Sequence, residues 1–143
     1  MKLVHACLAG STLALVAACS GGAPPQGAWK CEGEMMGAKQ TLETTYAAGG
    51  KTSGKGQFVV DQPAAKMDIK LTYTGTWKLE GDQLTEQMTE PKITEATMNG
   101  QPLPEEMMSA MVQGMGDPQT STMKVEGGVM TLSNPGMTTT CKK

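Results

Sequence analysis

The sequence contains no arginine, and all twelve of its cationic side chains are lysines. It has a single histidine, His5, and only two Trp, two Tyr and one Phe. Each shortage excludes something. Nucleic-acid binders present a basic surface in which Arg makes bidentate contacts, and a chain of net charge −2 without Arg has no such surface. Histidine-based catalysis or metal binding would rest on His5 alone. Nucleophile-elbow, phosphate-loop and histidine-bearing metal motifs are all missing. Glu105 and Glu106 are adjacent and diverge, which suits a helix start better than acid–base chemistry. The chain is therefore read as non-enzymatic, with no cofactor and no nucleic-acid partner. With so few aromatics, core volume has to come from elsewhere, and the sequence offers 13 Met and 18 Gly.

Long apolar runs are scarce too. The one at the start, Leu3 to Ala18, is broken by Gly10, Ser11 and Thr12 and is too short to span a bilayer well. A lysine before it and small residues after it make residues 1–18 a secretory signal segment. Val16-Ala17-Ala18-Cys19 resembles the lipobox of bacterial lipoproteins: an aliphatic residue, two small residues, then the cysteine that receives lipid. The resemblance implies that the mature chain begins at a lipidated Cys19 and that its acyl chains are the membrane partner. Ser20 after the cysteine, in place of Asp, implies sorting to the outer membrane, facing the periplasm. Residues 19–27 are rich in Gly and Pro and read as a tether. The folded domain is expected over residues 28–143.

Cys7 leaves with the signal, and Cys19 carries lipid. Cys31 and Cys141 remain, an even pair in an oxidising compartment, and are expected to form a structural disulfide.

From Met67 to Leu79 every odd position is apolar or Gly and every even position is polar. That period of two belongs to a strand with one buried face, and a helix cannot produce it. At ~3.3 Å per residue it would run roughly 43 Å, so a bend is expected at Gly75. Gly81-Asp82 makes a two-residue turn that sets Leu79 opposite Leu84, Trp77 opposite Glu86 and Gly75 opposite Met88. Glu86 on a buried face is an inconsistency, pointing to a register error, a barrel mouth or a polar group kept for a ligand. Further strands centre on Trp29–Gly33, Leu42–Tyr46, Phe58–Val60, Met123–Val125, Val129–Leu132 and Met137–Cys141. Residues from Gly49 to Gly56 read as a loose stretch. The expected fold is mostly β: an antiparallel meander of about eight strands closing into a small barrel, with an open sheet rolled over a helix as the competing shape.

Gly75-Thr76-Trp77-Lys78-Leu79-Glu80-Gly81-Asp82-Gln83-Leu84 looks like a segment common in lipocalin-like domains of small bacterial lipoproteins, and Gly27-Ala28-Trp29 echoes the Gly-X-Trp near the start of lipocalins. That resemblance implies an apolar interior able to hold a small hydrophobic ligand; Tyr73 and Trp77 on the buried face of the alternating strand, with Glu86 opposite Trp77, are the candidate ligand-binding residues there.

Pro104-Glu105-Glu106 opens a short helix over about 104–115, ended by Gly114, Gly116 and Pro118. Met107, Met111 and Met115 recur every four residues and are expected on one face. Three readings of that stripe stand side by side: core packing, an adaptable lid over a hydrophobic ligand, and Cu(I) capture by thioethers, to which Met35-Met36 could add. A structural envelope lipoprotein, or a partner of the assembly machinery, without a ligand is a further alternative, and the sequence does not identify a protein partner. The lipidation reading has a direct test. Cys19→Ser should abolish incorporation of labelled fatty acid in cells, and undiminished labelling would overturn it.

Overall fold

The computed structural model describes residues 23–143; the expected signal segment 1–18 and Cys19 lie outside them. The described chain forms ten strands and one helix: β1 (Gly27–Met35), β2 (Ala38–Ala47), β3 (Lys51–Gln62), β4 (Ala65–Glu80), β5 (Gln83–Met88), β6 (Lys92–Met98), β7 (Gln101–Pro102), α1 (Glu105–Gly114), β8 (Gln119–Glu126), β9 (Val129–Asn134) and β10 (Met137–Lys142). Every pairing is antiparallel. The sheet runs β3-β2-β1-β10-β9-β8-β5-β4, and β4 pairs back with β3. This closes an eight-stranded barrel and leaves no free edge along its wall.

The long alternating strand holds the design together. One edge of β4 is covered from Ala65 to Thr76 by β3. Its other edge is divided: β5 pairs with Gly75–Glu80 and β6 with Met67–Thr72. Residues 83–98 thus follow β4 as one strand interrupted at Thr89-Glu90-Pro91. There the N–H groups of Thr89 and Glu90 both donate to the carbonyl of Thr74, at 2.9 and 3.2 Å, and Pro91 has no N–H to give. Beyond the interruption the two parts separate. The β5 part pairs with β8 in the barrel, whereas the β6 part pairs with β7 and carries α1 outside it.

Two apolar clusters follow from that split. The barrel core contains Trp29, Cys31, Tyr46, Leu84, Met123, Met130, Leu132 and Cys141. A second cluster, Ile69, Ala96 and Leu103, lies on the extension made by β3, β4, β6 and α1. In the barrel core, Cys31 and Cys141 face each other directly across β1 and β10, with sulfurs 2.03 Å apart, disulfide distance. The end where β1 begins is closed by the preceding segment. Pro25 is fully buried, and its carbonyl accepts the indole N–H of Trp29 at 2.6 Å. The folded part therefore includes residues expected in the tether.

The eight strands expected from sequence are the eight of the barrel, and the register Leu79–Leu84, Trp77–Glu86, Gly75–Met88 is the one observed. Two features differ. The stretch before Gly56 is not loose: β3 begins at Lys51. Its inward positions are Thr52, Gly54 and Gly56, too small to signal a strand by hydrophobicity. Neighbouring side chains fill the space they leave. In one cross-strand row, Thr44–Gly54–Tyr73, the Tyr73 hydroxyl passes over Gly54 to hydrogen-bond Thr44. In the next, Leu42–Gly56–Leu71, Leu42 leans over Gly56. The second difference is β6 with β7, absent from the expected set. Thr94 is an extra residue there: Ile93 faces Leu71 while Glu95 faces Lys70. This bulge puts Ile93, Ala96 and Met98 on one face, and the period of two disappears from the sequence.

Gly54 allows a sharp test. A Cβ at this position would sit 2.4 Å from the Glu43 carbonyl oxygen and 2.8 Å from the Tyr73 hydroxyl. Gly54→Ala should cost about 1–3 kcal/mol of stability by overpacking, measured by denaturant unfolding. An unchanged midpoint would show that Tyr73 does not occupy the glycine's space.

Candidate functional site

Two places in the fold combine chemistry-bearing side chains, and the sequence-predicted residues divide between them. The first lies in the barrel wall where β2, β4 and β5 meet. Trp77 and Glu86 are cross-strand partners. The hydroxyl of Tyr46, on β2, donates to Glu86 Oε1 at 2.8 Å. Trp77 meets Tyr46 edge to face with ring centroids 6.1 Å apart, and its indole N–H donates to the Ala47 carbonyl at 3.0 Å. Tyr73 belongs to the neighbouring row, where its hydroxyl is paired with Thr44. The polar atoms of Tyr73 and Trp77 thus already have partners within the protein. Thr52, cross-strand partner of Tyr46, has a buried hydroxyl with no protein partner.

Burial sets the electrostatics of this centre. Desolvation raises the Glu86 carboxyl above its ordinary value of 4.5, and the hydrogen bond from Tyr46 opposes the rise. Tyr46 is pushed far above the ordinary phenol range, first by burial and then by the charge of Glu86. Burial also pushes Tyr73 up to about 12, with its bond to Thr44 acting the other way. The centre therefore favours a neutral or singly charged carboxyl–phenol pair inside the barrel wall.

The second place is the apolar cluster between α1 and the extension of the sheet. Ile69, Ala96 and Leu103 form its floor, with Phe58, Met67, Ile93, Met98, Met108 and Met111 packed around them half-buried. Helix α1 starts after Pro104, with Glu105 and Glu106 in its first turn, and no residue of it is buried. Its half-buried positions are Met108, Met111, Val112 and Met115, spaced i, i+3, i+4, i+7. This corrects the expected stripe of Met107, Met111 and Met115. Met107 is 46% exposed, so the three thioethers do not share one packed face. Met108 was missed because the four-residue repeat drew attention to Met107; the spacing around the helix pointed to Met108. Phe58, Ala96 and Leu103 were missed because strand β6, which brings them together, was itself hidden by its bulge.

An open groove of about 550 Å³ is lined by residues of β1 to β4 and the C-terminal end, among them Trp29, Thr44 and Tyr73 together with Lys30, Glu43 and Lys143. It does not include Glu86 or the α1 cluster. No protein-family model matches this chain, and no curated protein is similar to it in sequence.

The Glu86 centre carries a pH prediction. Because Glu86 ionises less readily folded than unfolded, the folded chain binds the extra proton, and stability falls as pH rises from about 4.5 through the raised value. Above it the loss is complete. Glu86→Gln should flatten this limb of the stability–pH curve. Tyr46→Phe should steepen it and cost about 1–3 kcal/mol at neutral pH by leaving the carboxylate without its donor. Thermal unfolding at a series of pH values reads both effects, and a curve unaltered by Glu86→Gln would refute the assignment.

Proposed function

We propose that this protein is a non-enzymatic lipoprotein of the bacterial envelope, anchored through lipid on Cys19, that binds a small hydrophobic ligand beneath helix α1. The single observation that supports binding there is the half-exposed methionine face that α1 lays on this apolar floor. Met108, Met111, Val112 and Met115 stay half-buried, although two of them join seven apolar residues of the sheet and of the segment before the helix in one cluster of nine. Four of the nine are methionines, whose unbranched, polarisable side chains adapt to varied apolar shapes. The barrel interior is a poorer host. Leu71, Leu84, Met130 and Cys141 are among its fully buried side chains, and Tyr73 and Leu42 fill the space above its glycines.

The filled barrel also favours a second reading, a structural envelope lipoprotein without a ligand. One experiment separates the two. A Cys19→Ser chain, soluble without its lipid, is titrated with an environment-sensitive naphthalenesulfonate dye and then with palmitate. Ligand binding predicts dye fluorescence that palmitate displaces, and at least a tenfold loss of dye affinity in Met108→Glu with Met111→Glu. Native mass spectrometry should show the bound fatty acid. A chain that takes up neither dye nor palmitate would leave the structural reading standing.

A further inference from the structure

The hairpin between β1 and β2 has a feature that packing does not explain. Met36 and Gly37 form its two-residue turn, with φ of +52° and +80°. The turn between β6 and β7 has nearly the same backbone, φ +52° and +79°, and uses Asn99-Gly100. Asn tolerates the left-handed region because its short polar side chain bonds locally. Met has no such compensation, and a two-residue turn of this kind selects against it. Met36 is also 92% exposed. Neither backbone preference nor burial accounts for a long apolar side chain there.

Its surroundings suggest what it is for. The preceding residue, Met35, is itself 42% exposed, so two of the three large exposed hydrophobic side chains of the described chain are consecutive. Directly opposite Met35 on β10 stands Met137, half-buried. Cross-strand partners hold their Cβ atoms about 4.5–5.5 Å apart, a spacing at which two thioethers can share one ion. Met36, one residue away, has an unpacked side chain free to swing to it.

We propose that Met35, Met36 and Met137 form a Cu(I)-binding site at the barrel rim remote from Pro25. Thioether sulfur is a soft, neutral donor that selects Cu(I) among biological metal ions, and three such donors satisfy the low coordination number of this ion. Cys31 and Cys141 are bonded to each other and buried, so neither thiol competes. Thioethers carry no proton, so metal binding displaces none, unlike sites built on Cys or His. The site is independent of the cluster beneath α1 and of the helix methionines.

The test uses the full chain carrying Cys7→Ser and Cys19→Ser, because free thiols would outbid thioethers. The protein, labelled with 13C at its methionine methyl groups, is titrated anaerobically with Cu(I) in ascorbate against bicinchoninate as competing chelator. One equivalent should bind, with the methyl resonances of Met35, Met36 and Met137 shifting, and affinity should be equal at pH 5.5 and 7.5. Met35→Leu with Met36→Leu and Met137→Leu keeps the rim apolar and should weaken binding at least tenfold. Failure to retain Cu(I), undiminished affinity in the triple Leu chain, or shifts confined to Met107, Met111 and Met115 would each overturn the proposal. An apolar docking role would show itself as a rim indifferent to Cu(I), and the methyl spectrum of the unsubstituted rim decides this even if the Leu variant folds poorly.

Discussion

Closure of the barrel between its first and last strands is the constraint on which the other features depend. β1 and β10 are brought together from opposite ends of the folded chain, a separation of 110 residues between Cys31 and Cys141. Long-range antiparallel pairing of this kind carries a large loop-closure cost. The cysteine pair sits on that seam, at directly opposed positions, and both residues are buried. A covalent bridge over so long a loop contributes on the order of 4–5 kcal/mol when the chain-entropy account applies. Few aromatics are available to build a large core, so this contribution is a substantial part of a domain stability of roughly 5–15 kcal/mol. Once the seam is closed, β2 and β9 have fixed neighbours, and the remaining strands complete the ring.

How much of this was legible in the sequence depended on whether side chains or backbone carried the signal. β4 was plain, because thirteen residues alternate without exception, and the turn at Gly81-Asp82 then fixed the pairing with β5 down to Trp77 and Glu86. The first half of β3 was not, because its inward residues are Thr52, Gly54 and Gly56 and its packing is supplied by Tyr73 and Leu42 from the adjoining strands. No single-strand pattern reveals a face filled from outside. β6 was invisible for a different reason: the extra residue Thr94 shifts the parity of inward positions, and alternation is the signal that a bulge erases. The α1 cluster was hidden with it, since its floor depends on β6 for Ala96.

The polar centre shows the reverse case. Glu86 looked wrong on a buried face and is nonetheless there, tolerated because Tyr46 reaches it from a strand that is not its neighbour in the sheet. An inconsistency in a sequence pattern thus marked a carboxylate whose ionisation the fold resists. The partner could not be inferred locally, since Tyr46 lies forty residues away in sequence. The split edge of β4 separates this wall from the α1 extension, so one continuous strand serves two regions of different chemistry.

The burial of Pro25 against Trp29 also has a mechanical consequence. A pull applied ahead of position 23 must first draw Pro25 off the indole of Trp29 before any load reaches β1. That strand is hydrogen-bonded on both sides, to β2 and to β10. The load therefore acts in shear on two ladders at once, and their bonds resist together instead of being peeled apart singly. The cross-link at Cys31 passes the remaining force directly to the opposite strand.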